Sequence, residues 1–291
     1  IDGDYHIFCV QPLLENHLKH VLHYSCDEAQ MVSHQILEYF NPITGYYVYY
    51  LWQDAVEGML QVNTLRTILQ CMDNEQLLSI ISFQDRFGYT VLHHSALSEK
   101  GELMRLILDS VCEEDSYQLL RITDRWGQTA LHVSCHQGDT DSVSVILEHL
   151  AKAAAYSLLQ TSLQTGDCPL HVAAFRGHCD VLKLFYQTVT EDQYGGLLRM
   201  TGSGGRTVLH CAAFSDDRTC MIVIKDTVTP DSWLGLVSTP LPTDNNLYGD
   251  HKFSRAVSRI ADLRAAAKID KVLRTTDWKG NQLIMQLSIG I

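Results

Sequence analysis

Four histidines, His93, His132, His171 and His210, recur at steps of 39 residues. Imidazole can serve as a general base, a metal ligand or the partner of a nucleophile. Equal spacing argues against a shared site: one histidine per repeating segment keeps each a whole segment from the next, too far to converge on one metal or one substrate. Thiol chemistry is the second option. Cys135-His136, Cys168 with His171, His178-Cys179 and His210-Cys211 set sulfur beside imidazole. A nucleophilic thiolate needs a positioned base and an electropositive pocket, whereas each of these cysteines stands where sister segments carry Thr, Ala or another small residue. No Cys-x2-Cys pair occurs, which removes the strongest zinc signature. His17, His20 and His23, continued by Cys26, would spread over about a third of a turn on one side of a helix, and read as a solvated face. Thr201-Gly202-Ser203-Gly204-Gly205-Arg206-Thr207 has the look of a phosphate loop but lacks the Lys such a loop requires after a buried strand. The residues thus point to no catalytic group, no metal and no cofactor, and the chain is read as non-enzymatic.

What must position the histidines is the repeat itself. Gly88-Tyr89-Thr90-Val91-Leu92-His93 returns as Gly127-Gln128-Thr129-Ala130-Leu131-His132, as Gly166-Asp167-Cys168-Pro169-Leu170-His171 and as Gly205-Arg206-Thr207-Val208-Leu209-His210. Small residues follow in phase at Ala96, Cys135, Ala174 and Ala213. Helical stripes recur at i, i+3, i+4 and i+7: Leu65, Ile68, Leu69, Met72; Met104, Ile107, Leu108, Val111; Val143, Ile146, Leu147, Leu150; and Leu182, Phe185, Tyr186, Val189. In the next copy, Met221, Ile224 and Val228, one member is lost to Lys225. Apolar pairs before each turn, Ile80-Ile81, Leu119-Leu120, Leu158-Leu159, Leu197-Leu198 and Leu236-Val237, keep the same step. Each unit reads as turn, short helix, turn, longer helix and an apolar link. Neither helix can bury its face alone, so stacked units must share one core.

The motif G-x-T-x-L-H, followed by Gly177-His178-Cys179-Asp180-Val181-Leu182-Lys183-Leu184, resembles the ankyrin repeat, good over about residues 60–237 and weaker to 291. The resemblance implies an all-α, ankyrin-type solenoid of helix-turn-helix units with turn (finger) loops. It also implies that each His ring bonds to the Thr hydroxyl and to neighbouring backbone. The repeat departs from the usual length of about 33 residues; six extra residues fall around Ser116-Tyr117-Gln118 and its equivalents, where they lengthen the outer edge of each unit. Thr90, Thr129 and Thr207 suit helix N-caps, and Pro169 suits a first helical turn. Asp85-Arg86-Phe87-Gly88, Asp124-Arg125-Trp126-Gly127 and Asp277-Trp278-Lys279-Gly280 have the form of tight turns.

The well-formed units span about 85–237. Degenerate capping units are expected at about 51–84 and 238–291, where Ser254 to Leu273 carries Val257, Ile260, Leu263 and Ala267 on a helix and Gly280-Asn281-Gln282-Leu283-Ile284 is a decayed copy. Residues 1–50 suggest two helices, closed by Asn41-Pro42 and followed by Tyr46-Tyr47-Val48-Tyr49-Tyr50; they form either a helical cap or the edge of a preceding domain.

With 291 residues, 46% hydrophobic and 19% charged, the chain fits a folded protein larger than one compact core. A net charge of −12 opposes a general nucleic-acid binder. Nine cysteines, an odd number without closely spaced pairs, read as reduced thiols of a cytoplasmic or nuclear protein. No apolar run approaches the ~18 residues of a membrane span. The start at Ile1-Asp2-Gly3-Asp4 lacks Met and is not a signal peptide, which reads as a monomeric array inside a longer chain.

The resemblance implies a protein or peptide partner held on a concave face of turn tips and first-helix edges. Mapped here, that face is Arg86, Phe87, Tyr89, Arg125, Trp126, Gln128, His136, Thr165, Asp167, Phe175, Arg176, Arg206 and Phe214, with Trp278, Lys279 and Asn281 beyond. Arg and aromatic side chains together favour a groove for an extended acidic segment with an apolar anchor; the plainer reading pairs Arg86 and Arg125 with their neighbouring Asp residues and packs the aromatics on neighbouring turns. The expected function is an adaptor, scaffold or regulatory module. A cytosolic ankyrin portion of a membrane channel or receptor, or the targeting arm of an enzyme, would use the same surface.

Overall fold

The 39-residue period is built from three helices per repeat, one more than the spacing alone reveals. A computed structural model describes residues 52, 55–56, 62–70, 72–215, 218–240 and 250–275. The expected helices of residues 1–50, the turn at Asp277 to Gly280, the copy at 280–284 and the positions Trp278, Lys279 and Asn281 lie outside the described residues. The chain divides into two units, Ile1–Leu158 and Leu159–Ile291.

In the first unit the described helices are α1 (Val62–Gln70), α2 (Asn74–Ile81), α3 (Val91–Leu97), α4 (Gly101–Asp109), α5 (Glu113–Leu120), α6 (Ala130–Gln137), α7 (Thr140–Glu148) and α8 (Lys152–Leu159). First helices pack on first helices (α3 on α6), and second on second (α1 on α4, α4 on α7). The turns stack as well. Gly88 sits at φ +83°, and a Cβ there would lie 3.0 Å from the backbone N of Arg125 and the Cα of Asp124. Only glycine meets both demands. Trp52, 3% exposed, donates through Nε1 to the Ile80 carbonyl at 3.1 Å.

In the second unit the helices are α9 (Pro169–Arg176), α10 (Cys179–Thr188), α11 (Glu191–Arg199), α12 (Val208–Phe214), α13 (Thr219–Asp226), α14 (Pro230–Ser238) and α15 (Asp250–Thr275). Here α9 packs on α12, α10 on α13 and α11 on α14. Every described element of regular structure is helical apart from one isolated bridge, Thr201 to Thr207.

The third helix of each repeat corrects the expected apolar link. The Ile80-Ile81, Leu119-Leu120, Leu158-Leu159, Leu197-Leu198 and Leu236-Val237 pairs are the closing turns of α2, α5, α8, α11 and α14, all buried. The cause is local. Asp73 and Gln76 form a reciprocal capping box on α2, Thr190 and Gln193 do the same on α11, and Thr229 with Pro230 opens α14. A third helix gives the second one another neighbour. In α4, Leu103 and Leu106 are buried beside the expected Met104, Ile107 and Leu108. Tyr186 departs from its stripe: it is 37% exposed and meets Tyr194 of α11 edge-on at 5.3 Å, and Tyr194 is the fully buried ring.

Helix α15, 26 residues long, packs on α12 and α14. Ala256, Ile260 and Ala267 are buried, whereas Val257, expected on that face, is 42% exposed. Its arginines supply what the shorter helices lack. Arg259 donates to the carbonyls of Ala213, at 3.0 Å, and Ser215, at the C-terminus of α12. Arg264 donates to the carbonyls of Val237 and, at 2.5 Å, Thr239, at the C-terminus of α14. Terminal carbonyls have no partner within their own helix, so a cation with several N–H donors stabilises them by hydrogen bonding and by the helix dipole together.

Candidate functional site

Each first helix opens in the same way. The Nδ1 of His93 accepts from the Thr90 backbone N–H at 3.1 Å and lies 2.9 Å from its hydroxyl. The pairs Thr129–His132 and Thr207–His210 repeat this arrangement, and Cys168 substitutes its Sγ, 2.9 Å from Nδ1 of His171. A ring engaged through Nδ1 as acceptor carries its proton on Nε2. That nitrogen reaches the next repeat: His93 Nε2 donates to the Gln128 carbonyl at 3.0 Å, and His171 Nε2 to the carbonyls of Arg206 and Met200, each at 3.1 Å. All four histidines are buried. Desolvation pulls the pKa of His93 and His171 below the usual imidazole range and takes His210 down to about 4. His93 and His171 are neutral ties between consecutive repeats.

The turns that precede these helices carry the exposed chemistry. Asp85 Oδ1 accepts from the N–H groups of Phe87 and Tyr89 at 2.8 and 2.9 Å, and its Oδ2 meets His94 Nε2 at 3.1 Å. Asp124 Oδ1 accepts from Trp126 and Gln128, each at 2.8 Å. These bonds shape the turns. The guanidiniums lie on rings. Arg86 and Arg125 stand 4.7 and 5.0 Å from the Phe87 centroid, and Arg125 is 5.7 Å from Trp126. Arg125 Nη2 also donates to the Arg86 carbonyl at 2.6 Å. Tyr89 links the two turns, with centroids 6.2 Å from Phe87 and 5.9 Å from Trp126. Burial and the charges of Asp124 and Asp85 raise its phenol pKa, so it is an un-ionised donor. Trp126 is 48% exposed.

Comparison with known families matches ankyrin repeats, in three copies, over residues 55–157 and 116–193. Residues 55–193 belong to the ankyrin-repeat family. Ankyrin repeats are generally protein–protein interaction modules and are typically non-enzymatic. No curated protein matched the chain.

Within this ankyrin array, Arg86, Phe87, Tyr89, Arg125 and Trp126 form one cluster. Gln128 is half-buried, and its backbone carbonyl serves the His93 tie. His136 is half-buried near the end of α6. Thr165, Asp167, Phe175 and Arg176 belong to the second unit, where Arg176 is exposed and Phe175 half-buried. Arg206 and Phe214 correct the expected surface. They are 6% and 2% exposed, with the guanidinium 5.7 Å from the ring centroid, so this pair packs inward and is not on a face open to a partner.

The glycine-rich loop before Thr207 is no anion cradle. The Ser203 N–H that a phosphate would need donates to Asp167 Oδ1 at 2.8 Å. A Cβ at Gly202 would stand 2.1 Å from that oxygen, so glycine is there for the close approach of the carboxylate. The buried thiols of Cys168 and Cys211 are equally unsuited to nucleophilic attack. Burial pushes Cys168 up to about 11 and Cys211 higher still. Among the described residues no group of three or more His, Cys, Asp or Glu could hold a metal ion, and no helix is long and apolar enough to cross a membrane.

Proposed function

We propose that this ankyrin array is an adaptor or regulatory module that binds an extended acidic segment of another protein at the Arg86–Phe87–Tyr89–Arg125–Trp126 cluster. The observation that carries the proposal is the pair of guanidiniums over one phenyl ring beside a half-exposed indole, on turns whose own carboxylates are tied to backbone N–H groups. The arginines offer charge-assisted donors, and the indole offers an anchor of the kind that dominates binding energy. Cys112, Cys168, Cys179 and Cys211 are free thiols, which supports action in a reducing compartment such as the cytoplasm.

Quantitative affinity capture with the intact chain, run beside Arg125→Ala/Trp126→Ala, tests the reading. Partners that bind here are depleted from the variant while its circular dichroism is unchanged. Equal recovery of every partner would move the binding surface elsewhere.

A further inference from the structure

The two stacked turns of the first unit hold their carboxylates differently. In the first turn both oxygens of Asp85 are engaged: Oδ1 by the N–H groups of Phe87 and Tyr89, and Oδ2 by His94 Nε2 at 3.1 Å. In the second, Asp124 Oδ1 takes the N–H groups of Trp126 and Gln128, while Oδ2 is buried with no hydrogen-bond partner among the described residues. Val133 stands in the second repeat where His94 stands in the first. Of the two turns, the first alone thus carries an imidazole on its carboxylate.

His94 also touches the aromatic cluster. Its ring meets Tyr89 edge-on at 5.5 Å, and Tyr89 in turn lies 5.9 Å from Trp126. The imidazole is 28% exposed, against 8% for the Asp85 side chain, so its charge is felt at the surface. With a neutral ring the charges of the two turns cancel, Arg86 and Arg125 against Asp85 and Asp124. An imidazolium tips the face to a net positive charge. Nε2 donates to Asp85 in either form, so the turn keeps its shape while its charge changes. Imidazole makes that change between about pH 5 and about pH 8.

The other titratable groups beside His94 are His93, a buried neutral ring on the same helix, and Tyr89, an un-ionised phenol; Asp124 acts on both from the next turn, and Arg125 on Tyr89. Of the helices packed on α3, α6 carries His132, Cys135 and His136, and α4 carries Glu102, Arg105 and Asp109, the last two bonded to Glu148 and His149.

On the reading proposed above, in which the partner segment is acidic, we infer that His94 sets the charge of the turn face, so that the segment binds more tightly as pH falls and is released as pH rises. Proton uptake adds a cation beside Arg86 and Arg125, and by linkage a bound carboxylate favours the protonated ring.

The full chain labelled with 15N and an end-capped Gly/Ser peptide with three aspartates around one leucine test this. In the free chain the Phe87 and Tyr89 amides, both bonded to Asp85, report on His94. They should move between about pH 8 and about pH 6 in the parent and stay in place in His94→Gln, which keeps an N–H donor but does not titrate. The peptide, whose carboxylates stay ionised over this range, should bind at least about threefold more tightly at the lower pH, the worth of one partly exposed charge pair, and the gain should vanish in His94→Gln. Static amides, equal affinity at the two pH values, or an acid gain that persists in His94→Gln would overturn the role of His94 and leave the turn-face function standing. No binding at either pH, or binding unaffected by Arg125→Ala/Trp126→Ala, would remove the acidic-segment reading and the role of His94 with it.

Discussion

His93 and Gln128 are joined across consecutive repeats by a hydrogen bond from imidazole Nε2 to backbone carbonyl at 3.0 Å, and His171 and Arg206 hold the same relation at the same sequence offset. The bond uses one nitrogen, while the other caps its own helix. Replacing His93 with Ala removes both roles from a buried site and leaves the Thr90 N–H without its acceptor. We expect a loss of about 2–4 kcal/mol, read as a lower urea midpoint by circular dichroism. A midpoint within error of the parent would contradict the role.

Burial of neutral histidine sets the acid limit of the fold. Burial takes the folded pKa of His210 down to about 4, from an ordinary imidazole value of about 6.5. The unfolded chain therefore takes up the proton first. The stabilisation is complete above pH 6.5 and drains away as pH falls from there towards 4, by about 3 kcal/mol for this residue. Urea midpoints should drop steadily over that window, and His210→Asn should flatten the slope while lowering stability at neutral pH. A slope unaltered by the substitution would show that His210 is not the titrating group.

The end of the second unit depends on two arginines. Arg259→Met and Arg264→Met keep the aliphatic stem and remove the donors to the C-termini of α12 and α14. Each should cost about 1–3 kcal/mol. Hydrogen exchange should quicken in α12 for the first and in α14 for the second. Faster exchange confined to α15 would mean that the arginines hold only their own helix.

Thiol reactivity separates cysteines that the sequence makes look alike. Cys112 is exposed, whereas Cys135, Cys168, Cys211 and Cys220 are buried. Iodoacetamide with peptide mass spectrometry should modify Cys112 and spare those four until the chain unfolds. Early alkylation of Cys168 would contradict the raised thiol pKa and restore its pairing with His171 as a reactive one.

The exposed turn can be changed cheaply. Trp126→Ala should shift stability by less than about 1 kcal/mol, because the indole is half in solvent, yet weaken partner binding by about 2 kcal/mol. The comparison of a melting curve with a binding isotherm checks it; matched losses in both would make Trp126 a stability residue.

Much of this was legible in the chain. Position by position, the 39-residue step located the buried histidines, the small residues behind them and the capping threonines, because each is a local requirement repeated in phase. The third helix was not read, although Asp73 with Gln76 and Thr190 with Gln193 carry its capping signal; eight or nine residues show too little periodicity to outweigh a plain apolar pair. Arg206 and Phe214 failed as surface residues for another reason. Their repeat positions match Tyr89 and His136, but burial follows the neighbours: the tip of this repeat is a glycine loop held by Asp167, and Arg206 lies inward over Phe214.

The joining of repeats by neutral imidazoles can be read directly from long-range 1H–15N correlation spectra of the histidine side chains. At neutral pH His93 and His171 should show the proton on Nε2 and a bare Nδ1, and should not titrate as the pH is lowered past 6.5. A proton on Nδ1, or titration near 6.5, would contradict the tie between repeats.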